Sequence, residues 1–138
     1  MIDFENLTRH ELDTALLEKI AKSLTQKDIE LVLCHNDYIH KLNNQYRGKD
    51  CATDVLSFPI SLVENAPLGS IVISYDKALD AAKKYGHSLD EEVSLLFIHG
   101  ILHLLGHDHE TDSGTMRQKE LEIVAKFNLP ASLIVRNY

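Results

Sequence analysis

Three histidines, His99, His103 and His109, close the segment His99-Gly-Ile-Leu-His-Leu-Leu-Gly-His-Asp-His109. Residues four apart on an α-helix lie one turn apart on the same face, so imidazoles at 99 and 103 converge on one point. Gly106 lets the backbone leave the helix through a left-handed turn at no steric cost, and the chain doubles back to offer a third imidazole from His109. Three neutral imidazoles suit zinc and leave its fourth position for water, as in catalytic rather than structural sites. A single zinc ion there lowers the pKa of its water and polarises a carbonyl or phosphoryl oxygen. The expected chemistry is hydrolysis.

Any one of these histidines alone would more often be a satisfied structural residue. Two of them at helical spacing on an apolar segment are different, because both would otherwise be costly polar groups in a core. His107, two residues from His109, competes as third ligand, but the room left by three residues after Gly106 favours His109. Asp108 either orients an imidazole, accepts a proton beside the metal water, or is a surface turn residue. The spacing H-x-x-x-H-x-x-G-x-x-H is that of the metzincin proteases. Zinc proteases carry Glu after the first His as general base, however, and here that position is Gly100. Peptide hydrolysis is weakened by that change and metal binding is not. Glycine also admits close approach by backbone or by a bulky substrate.

A second constellation runs from Leu42 to Pro59 and groups Arg47, Asp50, Thr53 and Asp54 around a turn leading into a strand. Arg47 can clamp a phosphate through two parallel hydrogen bonds, or pair with Asp50 or Asp54 to pin the turn.

The rest of the chain must position these groups. With 138 residues, 44% of them apolar, it has the size and material of one domain, spanning residues 1–138. Cys34 and Cys51 make no disulfide framework, and the N-terminus does not read as a signal peptide. Leu95 to Leu105, the longest apolar stretch, is broken by histidines and glycine and falls short of a membrane span. A cytoplasmic protein is expected, with no membrane partner. The net charge of −7 argues against holding nucleic acid by general electrostatics, though not against a local basic rim from Lys41, Arg47 and Lys49. Five of the eight histidines fall between His87 and His109, which concentrates the chemistry in one region.

Periodicity predicts helices over Arg9–Leu24 (a Thr8/Glu11 capping box), Asn36–Tyr46 with Ile39, Leu42 and Tyr46 inward, and Asp76–Tyr85 closed by Gly86. Strands are predicted over Ile29–Cys34, Thr53–Phe58 and Ser70–Tyr75, with a loop over Ser61–Pro67. The helix opened by a Ser88/Glu91 capping box is apolar on nearly every face and belongs in the middle of the domain. A last helix covers Thr115–Phe127, with Met116, Leu121, Val124 and Phe127 inward, and the tail to Tyr138 docks. The expected fold class is α+β. One compact domain packs a small mixed sheet of about four strands with about five helices around a central apolar helix carrying two metal-binding histidines.

The chain resembles the YbeY family of bacterial endoribonucleases and rRNA maturation factors. The matching blocks are L-N-x-x-Y-R-x-x-D-x-x-T-D-V-L-S-F-P at Leu42 to Pro59, L-G-x-I-x-I-S at Leu68 to Ser74, and H-G-x-L-H-L-x-G-x-D-H at His99 to His109. The resemblance implies zinc bound by His99, His103 and His109, and work on 16S rRNA 3′-end maturation and ribosome quality control. Its implied partners are rRNA and the small ribosomal subunit or its proteins, not DNA. Arg47 matches the family's arginine implicated in RNA binding or cleavage. Two positions depart from the family pattern: His107 stands where Tyr is usual, and Ser70 where Asp is usual.

The expected activity is therefore zinc-dependent phosphodiester cleavage, with Arg47 on the phosphate and Asp108 or zinc hydroxide as base. An RNA 2′-hydroxyl nucleophile is the alternative path. Competing readings are a non-catalytic assembly factor with structural zinc, and a zinc peptidase or amide hydrolase.

Overall fold

In the computed structural model, residues 1–60, 66–108 and 113–130 are described. The element order is β1 (Ile2–Asn6), α1 (Ala15–Leu24), β2 (Ile29–Cys34), α2 (Asn36–Arg47), β3 (Val55–Pro59), β4 (Gly69–Ser74), α3 (Tyr75–Tyr85), α4 (Leu89–Leu104) and α5 (Thr115–Lys126). The strands form one mixed sheet in the order β1-β2-β4-β3. β1, β2 and β4 run parallel, and β3 pairs antiparallel to β4 with Val55 opposite Ile73 and Pro59 opposite Gly69. The α+β class, with four strands and five helices among the described residues, agrees with expectation.

Strand alternation sorts the apolar side chains onto two faces. Ile29, Leu31, Leu33, Ile71 and Ile73 point into the larger core with residues of α1, α4 and α5. Cys34, Leu56 and Val72 point the other way and pack with Ile39 of α2. Among the described residues α2 covers that second face, so α2 and α4 lie on opposite sides of the sheet. α4 is buried along most of its length, from Glu92 to Leu102 without a break. Its Ser88/Glu91 capping box is formed in both directions.

Several expectations need correction. The predicted helix from Arg9 begins only at Ala15, and Thr8 does not cap it. Asn6 accepts hydrogen bonds from both the Thr8 N–H and its hydroxyl, and Thr8 Oγ1 accepts from the His10 N–H. Local side-chain bonds hold this segment in a turn at the end of β1, where a helix cannot begin. β1 itself had no sequence signal, because only Ile2 of its five residues is buried. His35, not Asn36, is the N-cap residue of α2, while Ser74 and not Asp76 caps α3. β3 starts at Val55 rather than Thr53, since the Asp54 side chain turns back to accept the Val55 N–H. Tyr46 is 62% exposed and Leu121 38% exposed, where both were expected inward. The Ser61–Pro67 loop (in part) and the docking tail fall on residues 61–65 and 131–138, outside the described residues.

Candidate metal and phosphate site

The imidazoles of His99 and His103 project from one face of α4. Their Nε2 atoms lie 3.1 Å apart and the rings stand edge to face at 4.6 Å between centroids. Two nitrogens bound to one tetrahedral zinc at about 2.05 Å each sit roughly 3.3 Å from one another. The pair therefore fits a shared metal ion. His109, the third expected ligand, lies outside the described residues, and among those described no three His, Cys, Asp or Glu side chains form a metal group.

On its other nitrogen His99 faces a carboxylate. Nδ1 is 3.6 Å from Oε2 of Glu120, with side-chain exposures of 5% and 0%. An acidic group behind a ligating imidazole favours the tautomer with its proton on Nδ1, leaving the Nε2 lone pair for metal. Sequence reasoning missed Glu120. Its signal was a charged residue inside the stripe Met116, Glu120, Ile123, Val124, all buried on α5. The expected inward set of Met116, Leu121, Val124 and Phe127 put Leu121 where Glu120 stands, while Met116 and Val124 are buried as expected.

At the end of α4 the chain reverses. The His107 N–H donates to the Leu102 carbonyl at 3.0 Å and the Gly106 N–H to that of His103 at 3.0 Å, with Gly106 at φ 94°. These bonds close a left-handed C-terminal motif that a Cβ would strain. His107 and Asp108 are thereby brought onto the wall of a cleft of about 660 Å³ that also contains His99 and His103.

The opposite wall comes from α2 and the turn after it, with Arg47, Lys49, Thr53 and Asp54 lining the same cleft. Asn43, buried at the end of α2, donates from Nδ2 to the Cys51 carbonyl at 2.9 Å and ties that turn to the helix. Asp50 is engaged by His40, whose Nε2 is 2.6 Å from its Oδ1. Among the described residues Arg47 makes no ion pair, so the guanidinium remains available for an anion. The alternative reading, in which Arg47 pairs with Asp50 or Asp54, has no such pair among the described residues.

Between the two walls runs the edge strand β3, and Val55, Leu56, Ser57 and Pro59 form the floor. Arg47 and the histidines thus approach from opposite faces of the sheet, around its edge strand β3. Ser57 Oγ donates to the Gly100 carbonyl at 3.3 Å and bonds the floor to α4.

Gly100 faces the sheet. A Cβ there would lie 3.0 Å from Cγ2 and 3.1 Å from Cδ1 of Ile71. A carboxylate at this position would enter the core instead of the cleft, which removes the protease-type base on structural as well as compositional grounds.

A model of the family described as endoribonuclease YbeY matches residues 2–128. Over 137 residues the chain is 59% identical to an endoribonuclease YbeY of Nautilia profundicola, covering 99% of both chains. Over another 137 residues it is 53% identical to one from Helicobacter pylori, covering 99% of this chain and 98% of that one. Among solved structures, TM1509 from Thermotoga maritima aligns with a TM-score of 0.63 at 29% identity, covering 92% of this chain and 89% of the other.

Proposed function

The chain belongs to the YbeY endoribonuclease family, and from that membership we propose that it cuts ribosomal RNA with a zinc ion held by His99, His103 and His109. The observation that carries this reading is a single cleft containing both the converging imidazoles and a guanidinium that makes no ion pair among the described residues. Such a pairing of metal ligands with an anion clamp suits a phosphodiester better than an amide, which has no charged group for Arg47 to hold.

When bound, the metal supplies Lewis-acid polarisation of a phosphoryl oxygen and a water of lowered pKa. Arg47 grips the non-bridging oxygens and offsets the charge that develops on them, in a geometry for which a planar fork is preorganised. Lys49, on the same wall, adds positive potential at the mouth of the cleft. Glu120 holds His99 in the ligating tautomer. Asp108 accepts the proton of the attacking oxygen, whether that oxygen is water or the RNA 2′-hydroxyl. The net charge of −7 makes intrinsic RNA affinity low. Much of the binding then comes from the small ribosomal subunit that presents the 16S rRNA 3′ end, and the reaction is set in the cytoplasm.

The test is cleavage of a labelled 16S precursor 3′ segment, free and within small-subunit particles. Wild type is compared with Arg47→Ala and His103→Ala, with zinc content and fold measured for each. Loss of cleavage in both, with zinc retained in Arg47→Ala, is the expected result. Metal-loaded wild type that binds particles but cuts neither substrate would refute the nuclease assignment and favour a non-catalytic assembly role.

A further inference from the structure

We propose that Tyr46, seated on Phe58, is a stacking platform for an unpaired nucleobase beside the phosphate held at Arg47. The inference rests on the nuclease reading above and extends it from the phosphate to the base.

Tyr46 lies on the last turn of α2, next in sequence to Arg47. Its side chain is the most exposed aromatic one among the described residues, at 62%. The Phe58 ring supports it, meeting it edge to face, 5.3 Å between centroids and 64° between planes. Phe58 in turn is anchored against the smaller core cluster beneath α2. The arrangement fixes the Tyr46 ring from one side and leaves most of its surface in water. An aromatic ring contributes to stability chiefly by burial, and this one is scarcely buried.

Position and charge select the ligand. Arg47 lines the cleft, and so do Ser57 and Pro59 on either side of Phe58. Tyr46 and Phe58 thus stand just outside the cleft, Tyr46 one residue from the anion clamp along α2 and Phe58 one residue from the cleft floor along β3. Lys49 is a second cation on the same wall, which also holds Asp54, on a chain of net charge −7. A polyanion entering the cleft carries a base within reach of a ring placed beside the phosphate contact. Any base offers a π-face to that ring, so the platform is indifferent to sequence. A base inside a duplex is already stacked on its neighbours and cannot use it.

The chain contains no tryptophan, so Tyr46→Trp places the only indole in the protein at the platform. Metal-loaded protein is titrated with a short single-stranded 2′-O-methyl oligoribonucleotide, with copies lacking one base at successive positions, and with a duplex of the same sequence. Quenching of the indole by the intact single strand is expected, lost when the base at one position is removed, and absent with the duplex. Tyr46→Ala should bind the single strand about 5- to 100-fold more weakly, and Tyr46→Phe within about twofold of wild type. Equal binding by Tyr46→Ala and wild type, or indifference to base removal at every position, overturns the platform. Cleavage of unmodified RNA by the same preparations separates the two readings. Cleaving protein with no Tyr46 effect refutes the platform alone, whereas base-dependent quenching without any cleavage supports the platform and refutes the nuclease.

Discussion

Replacing Gly100 by alanine sets two effects of opposite sign against each other, and the packing of α4 on the sheet decides between them. On helix propensity alone, Gly→Ala inside a helix stabilises by about 1 kcal/mol. Position 100, however, presses on β4. The added Cβ would sit 3.0, 3.1 and 3.2 Å from three carbons of Ile71, roughly half an ångström short of ordinary contact. Ile71 is fully buried and cannot swing into solvent. Overpacking of this kind costs about 1–3 kcal/mol, so the net expectation is a loss of up to about 2 kcal/mol. With an unfolding entropy near 2.1 cal/mol/K per residue, each kcal/mol moves the midpoint of a chain this size by roughly 3 °C. Ile71→Ala removes all three opposing carbons, at a cost of about 2–5 kcal/mol by itself. In that background Gly100→Ala should become stabilising by about 1 kcal/mol. Thermal and urea melts of the four proteins in this cycle measure the reversal. Gly100→Ala that stabilises wild type by the full propensity gain, or acts equally in both backgrounds, would refute the claim that Gly100 exists for close approach. Because His99 and His103 flank this residue, lifting α4 from β4 by a few tenths of an ångström also moves the imidazoles relative to Arg47. Cleavage should then fall more steeply than stability.

Three further outcomes follow from contacts elsewhere. Glu120→Ala should weaken zinc binding about 10- to 100-fold in competition with a chromophoric chelator, with Glu120→Gln less affected; an unchanged affinity removes its orienting role. Burial pushes the Cys34 thiol up to about 12, helped by the nearby Asp76 charge and opposed by the Ile39 N–H. Cys51 is exposed. A disulfide reagent near neutral pH should therefore titrate one thiol in the native protein and two after denaturation, and two fast thiols in the native state would contradict the burial. Partial burial raises the pKa of Asp76, but the Asn36 N–H at 2.8 Å and His35 outweigh it and hold the carboxyl below its ordinary range. A depressed carboxylate stabilises the fold above the unfolded-state pKa and loses that contribution as pH falls through the lower folded-state value. The stability gap between wild type and Asp76→Asn should accordingly be full near neutrality and close on strong acidification. A gap independent of pH would show that the contact acts through packing alone.

Much of this architecture was legible from local pattern. The Ser88/Glu91 box, the all-round apolar character of Leu89–Leu104 and the glycine at 106 are short-range signals, and each fixes a local geometry without help from distant residues. The His99–His103 pair belongs with them, because helical periodicity alone puts both rings on one side. Where sequence reasoning failed, long-range partners had overridden it. β1 has a single buried residue and exists because β2 offers it a parallel edge, from Ile2 opposite Ile29 to Asn6 opposite Leu33. Tyr46 looked like a core residue by spacing, yet among the described residues α2 alone covers its sheet face, and its last residue, Arg47, already lines the cleft.

What the sequence by itself determined is the chemistry available: two imidazoles one turn apart, a reversal after them, and an arginine beside a turn. Their assembly into one site was decided only by tertiary structure. Arg47 and His99 are separated by 52 residues (99 minus 47) and ride on helices packed against opposite faces of the sheet. They meet because β3 is the edge strand of the described sheet, and residues of both layers line one cleft at that border. Strand order depends on which hydrophobic faces pair across the whole chain, and no local window contains that information. The same holds for Glu120, a charged residue whose place in the core makes sense only once His99 stands in front of it.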